Sequence, residues 1–136
     1  MKFETTQKFE TTRLPASPDI IAPDGSDVRV LLKTSRGSMA HFELAGGRAS
    51  DPIHHRGVDE IWFVLSGRGE MWRNARGEEE VVALEPGVCV TIPAGTHFQF
   101  RAMSGMALAA VGVTMPPWPG PEEAVPVAGK WPTSTR

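Results

Sequence analysis

The sequence predicts an all-β chain: a single domain of short strands, built as a sandwich or a barrel. Three observations carry that expectation. The 136 residues include 14 glycines and 12 prolines, a high density of turn formers. Short runs rich in β-branched and aromatic residues recur about every ten residues, each bounded by a turn signal. No segment sustains helical periodicity. The length suits one domain with a real core and is too short for two.

Three parts are expected: residues 1–27 as an N-terminal arm and wrapping loop, 28–115 as the barrel, and 116–136 as a Pro-rich tail packed on or near it. The arm opens on a duplication, Lys2-Phe3-Glu4-Thr5-Thr6 returning as Lys8-Phe9-Glu10-Thr11-Thr12. The spacing of six keeps strand parity, so both copies would show the same side chains to the same faces. It reads either as a loosely held terminus or as an edge strand pairing with the barrel or a second subunit. Leu14 to Asp27 carries Pro15, Pro18, Pro23 and Asp24-Gly25, and reads as a surface loop.

The strand-like runs then follow in order. Val28 to Thr34 ends at Ser35-Arg36-Gly37, and Ser38 to Leu44 ends at Gly46-Gly47. Glu60 to Leu65 turns at Ser66-Gly67-Arg68-Gly69 into Glu70 to Asn74. Glu79 to Leu84 ends at Pro86-Gly87, and Val88 to Ile92 stops at Pro93-Ala94-Gly95. His97 to Ala102 and Ala107 to Met115 complete the set. From Met115 onward lie six of the twelve prolines, which predicts an extended, non-helical tail. Trp118 and Trp131 are candidate anchors for it, since disordered segments are usually poor in aromatics.

Composition excludes several functions. Sixteen acidic against fourteen basic residues give a net charge of -2, so no pull toward nucleic acid is expected. No apolar run reaches the roughly 20 residues needed to cross a bilayer, so no membrane partner is expected. A single cysteine and no signal-type segment point to a cytoplasmic protein without a disulfide framework. Cys89, flanked by apolar residues, is expected to be an inert core thiol. Tyrosine is absent, which removes it as a general acid or cross-linking partner.

Imidazole and carboxylate groups gather at His54, His55, Asp59 and Glu60, with His97 arriving from a later turn. Histidines and a carboxylate converging in a barrel suit Fe, Mn, Ni or Zn. Adjacent His54 and His55 face opposite sides of a strand, so at most one enters the interior. Glu60, Trp62 and Val64 share one face, and Ile61, Phe63 and Leu65 the other. His41 could face the cavity or solvent. Ten arginines outnumber four lysines, and Arg56, Arg68, Arg73 and Arg101 lie near these residues. They read either as an anchor for an acidic substrate or as surface ion-pair partners.

These residues resemble the two motifs of the cupin superfamily, small jelly-roll barrels. The first family motif is His-x-His, three or four residues, Glu, six residues, Gly; this chain reads Ile53-His54-His55, four residues, Glu60, six residues, Gly67. The second is Gly, five residues, Pro-x-Gly, then His after two residues; here it reads Gly87, five residues, Pro93-Ala94-Gly95-Thr96-His97-Phe98. The resemblance places His55 and Glu60 on two of four family ligand positions. Ile53 and Phe98 fall on the other two, with His54 and His97 each displaced by one.

The resemblance implies a small cupin barrel, commonly a homodimer, with a small-molecule ligand inside. Ile53, Trp62, Val64, Phe98 and Phe100 are then expected to line the pocket. A divalent metal on His55 and Glu60 would need His54 and His97 to bend inward, so the incomplete ligand set favours a metal-free site. It also disfavours redox iron chemistry, and the cysteine–tyrosine cross-link of one oxidative family branch cannot form. Proton transfer by His55 and Glu60, of isomerase, cyclase or lyase type, is the expected chemistry. A non-catalytic ligand-binding or sensor cupin is the alternative, and a metal-dependent cupin enzyme a further one.

Overall fold

The computed structural model describes residues 7–22 and 24–133, and the first KFETT copy lies outside them. Eleven strands run through the described residues: β1 Ile20–Ile21, β2 Asp27–Lys33, β3 Ser38–Leu44, β4 Ile53–His55, β5 Asp59–Ser66, β6 Gly69–Ala75, β7 Glu78–Leu84, β8 Cys89–Ile92, β9 His97–Ala102, β10 Leu108–Met115 and β11 Ala124–Pro126. They form two antiparallel sheets, ordered β1-β2-β3-β10-β5-β8 and β11-β4-β9-β6-β7. All eight expected runs are strands, and no α-helix occurs among the described residues.

Three short strands escape the periodicity: β1 inside the expected wrapping loop, β4 at the start of the first motif, and β11 in the tail. Segments of two or three residues are too short to show an alternation, and they exist because a neighbouring strand is there to pair with. The tail also departs from its expected non-helical course by one 3-10 turn, Pro121–Glu123, with Pro121 supplying a φ suited to a helical start.

Period-two burial explains the core. Along β5 the inward Glu60, Trp62 and Val64 are buried, while Ile61, Phe63 and Leu65 face outward and are 47, 49 and 44 % exposed. Inward residues of both sheets, among them Leu44, Met71, Leu84, Ile92, Phe98 and Phe100, meet in one apolar cluster. Trp62 stacks on Phe42 at 5.4 Å between ring centroids and takes Phe100 edge-on at 4.9 Å, a geometry aromatic quadrupoles favour. The turn between β5 and β6 needs its glycine: at Gly67 φ is +81°, and a Cβ there would lie 2.2 Å from the Ala107 carbonyl oxygen.

The tail is fastened to the outer face of the second sheet. Gln99 faces outward on β9, as its parity requires, yet it is fully buried because the tail crosses it. Its Nε2 donates to the Ser50 and Trp131 carbonyls, each at 2.8 Å, and its Oε1 accepts from the Lys130 and Trp131 amides at 3.0 and 2.9 Å. Trp131 lies under the Arg101 guanidinium at 4.1 Å. The described part of the arm forms no strand beyond β1; Gln7 holds it to the end of β2 through the Lys33 carbonyl and Ser35 amide.

Candidate functional site

β4 and β5 are joined by a short turn, and that turn sets the first pair of polar groups. His55 ends β4 and points inward; Glu60, second residue of β5, points inward beside it. Their side chains are each 4 % exposed, with His55 Nδ1 3.8 Å from Glu60 Oε1. That exceeds hydrogen-bond range, and His55 Nδ1, Glu60 Oε2 and the Trp62 indole nitrogen are all buried without a hydrogen-bond partner. Gly112, opposite Trp62 on β10, gives the carboxyl its room: a Cβ there would lie 2.6 Å from Glu60 Oε2 and 2.7 Å from Phe42 Cε2.

The tail completes the surroundings of the pair. β11 lies beside β4, pairing Ala124 with His55. Trp118 stands edge-on to the His55 ring at 5.1 Å, and Phe98 does so at 5.3 Å. The Glu123 carboxylate accepts the Gly57 and Val58 backbone amides and so pins the turn between His55 and Glu60. Two depressions of about 250 and 410 Å³ on the described surface lie elsewhere, one along β6 and β7 and one beside the arm.

Burial drives the two groups in opposite directions. It pushes the Glu60 carboxyl up to about 8; the Trp62 indole opposes the rise and Asp24 adds to it. It pushes His55 down to about 4, with Glu123 opposing and His54 reinforcing the fall. Between these values the imidazole is unprotonated and the carboxyl protonated, so the pair is neutral on both sides rather than an ion pair. For Glu123 burial is outweighed by the two amide bonds and by the neighbouring His55 and Arg56, which hold its carboxyl below the usual range.

The sequence pattern of the family described as "Cupin domain" matches residues 40–113, more than half of the chain. The chain belongs to the cupin family. No curated protein matches it. Among solved structures it is similar to Streptomyces PAC13 with uridine, at 15 % identity and a TM-score of 0.69, over 90 % of this cupin and 92 % of that chain. KdgF from Halomonas is similar at 21 % identity and a TM-score of 0.57, over 68 % and 81 %. A predicted oxalate decarboxylase from Thermotoga maritima is similar at 18 % identity and a TM-score of 0.62, over 76 % and 98 %. Identities this low carry the cupin fold and leave the chemistry to the site.

This cupin's donors do not fit a transition metal. Of the four expected donors, all among the described residues, His55 and Glu60 alone point into the interior. His54 and His97 lie on the outer face of the second sheet, where their rings stack at 5.4 Å, and His54 Nδ1 is 3.2 Å from the His55 carbonyl oxygen. Strand parity is the cause, because Ile53 and Phe98 pair across β4 and β9 and both side chains fill the inward positions. No three metal-binding side chains converge among the described residues.

The expected pocket residues Ile53, Trp62, Val64, Phe98 and Phe100 are all buried in the cupin core around the pair. The arginines do not join them. Arg56 donates to the Glu122 carbonyl, Arg68 to Glu85, Arg73 to Glu80 and the Thr91 carbonyl, and Arg101 to Glu70. Cys89 corrects the expectation of a core thiol: it is exposed, because β8 turns Val90 and Ile92 inward and Cys89 and Thr91 outward. His41 faces outward from β3 but is buried beside the Arg29–Glu43 ion pair. Trp118, Glu123, Asp24 and Gly112 were not anticipated at the site. Only the tail's tryptophan gave a signal, as an anchor without an address.

Proposed function

We propose that this cupin handles a small organic molecule inside its barrel and that His55 and Glu60 move protons on it without a metal. One observation carries the reading: two facing side chains, 3.8 Å apart and almost fully buried, whose environments push them to opposite protonation states. Such splitting marks an acid and a base prepared for neutral pH. The unprotonated His55 ring takes a proton from the ligand while the protonated Glu60 carboxyl gives one to another of its atoms. The ligand's net charge is unchanged, and the pair is left as imidazolium and carboxylate. At 3.8 Å and an effective dielectric near 20 their attraction is about 4 kcal/mol, which stabilises that charged state. Isomerisation, cyclisation and elimination are all served by this exchange.

The test is turnover in a screen of small carbonyl and hydroxyl metabolites. His55→Ala and Glu60→Gln should each lower kcat by at least about a hundredfold, the usual scale of acid–base catalysis, while circular dichroism and melting remain native-like. Folded variants with wild-type turnover would refute the assignment. The second reading is a ligand-binding cupin without catalysis. It is favoured by the closure of the pair beneath Trp118, and it predicts ligand binding with no turnover in any variant. We further propose that a second copy covers the outward residues Ile61, Phe63 and Leu65, whose exposure leaves an apolar stripe on the larger sheet.

A further inference from the structure

We propose that the barrel interior takes an uncharged, planar ligand presenting a hydrogen-bond acceptor and donor side by side, of amide or lactam type, and rejects carboxylates, phosphates and amines. This rests on the reading of His55 and Glu60 as a ligand site and names the chemistry of what binds there.

Three neighbouring buried groups have an atom without a partner: the indole N–H of Trp62, Oε2 of Glu60 and Nδ1 of His55. Their residues are only 2, 4 and 3 % exposed. Buried polar atoms are rarely left unmatched, and a cluster of them marks where a ligand or water supplies the missing partner. The indole can only donate, and although it lies near the Glu60 carboxyl it makes no hydrogen bond of proper geometry there, so the ligand must offer an acceptor. The carboxyl and imidazole can each donate or accept, so an adjacent donor on the ligand is also answered.

Charge then narrows the class. The groups that act electrostatically on the pair include Glu123, whose carboxyl is held below its usual range and so stands ionised beside His55, a surrounding hostile to an anion. Arginine, the natural clamp for carboxylate or phosphate, is spent elsewhere: Arg56, Arg68, Arg73 and Arg101 are all bonded outside the barrel. An ammonium group fails for a different reason, since it holds donors alone and leaves the Trp62 donor unanswered. The surroundings favour a flat, apolar-bodied molecule: Phe98 stands edge-on to His55, and Trp62 is stacked on Phe42 and met edge-on by Phe100.

Benzamide, benzoate and benzylamine have nearly one shape and three charges, and they serve as probes of the full chain. Binding is followed by the indole N–H resonances in two-dimensional NMR, with Trp62 assigned from its absence in Trp62→Phe. Benzamide should shift the Trp62 signal, and benzoate and benzylamine should bind at least about tenfold more weakly, the effect of one unmatched buried group. Glu60→Gln, which keeps an acceptor and a donor, should retain benzamide binding within about threefold. Benzoate or benzylamine binding as tightly as benzamide overturns the proposal, as does benzamide leaving the Trp62 resonance unmoved up to its solubility limit. The readout is independent of turnover. Catalysis lost in His55 variants with a benzoate preference would sink this inference alone, and a benzamide preference with no turnover would sink only the catalytic reading.

Discussion

Replacing Glu60 by glutamine keeps the size and most of the hydrogen-bonding capacity of the side chain but removes its titration. In the folded protein burial raises this carboxyl from 4.5 to about 8, which at 1.36 kcal/mol per unit is about 5 kcal/mol of linkage. The sign follows from counting protons. Below about pH 4.5 both folded and unfolded chains hold the proton, and Glu60 contributes no pH dependence. Between there and about pH 8 the unfolded chain releases it and the folded chain keeps it, so stability falls as pH rises, levelling off above the folded value. His55 works on the opposite limb: its folded value, lowered from 6.5 to about 4, costs stability as pH falls through that window. Urea unfolding of wild type and Glu60→Gln across pH 5 to 8 isolates the Glu60 contribution by difference. The variant should gain on wild type by roughly 3–5 kcal/mol over that range. A difference that stays flat would mean that the carboxyl is ionised and solvated in the native state, and the neutral acid of the proposed chemistry would be refuted.

Two further perturbations probe the surfaces. Phe63→Glu places a charge in the outward apolar stripe, and sedimentation should show a monomer where wild type is a dimer; a wild-type monomer at the same concentration would refute the proposed second copy. Gln99→Ala severs three hydrogen bonds between barrel and tail and a fourth to the Ser50 carbonyl, and should speed tryptic cleavage after Lys130 and lower stability by about 2–4 kcal/mol. Unchanged cleavage would show that Trp131 and Arg101 hold the strap alone.

The strands and the inward facing of His55 and Glu60 were legible because both depend on near neighbours. In β5 an uninterrupted alternation assigns Glu60 and Trp62 to one face, and in β9 the parity of Phe98 with Phe100 assigns both inward and His97 outward. Cys89 was misjudged because apolar neighbours reveal nothing about a residue's own side of a strand, whereas the alternation of Val90 and Ile92 does. Gln99 and Glu123 were illegible for a different reason. Each acts on a segment more than 30 positions away, Gln99 on Lys130 and Trp131 and Glu123 on Gly57 and Val58, and no local pattern marks such a contact. Gly112 gave no signal because its role lies in what its missing side chain leaves room for.

The way the tail is fastened separates the buried pair from its cover. Every strand that carries His55 and Glu60, and every strand paired beside Glu60, ends by residue 115. Trp118 over His55, Glu123 at the turn and the strand beside β4 belong to the segment that follows. That segment can part from His55 without breaking any strand pair beside Glu60. His55 is then more open to water, and the downward pull of burial on its protonation is relieved.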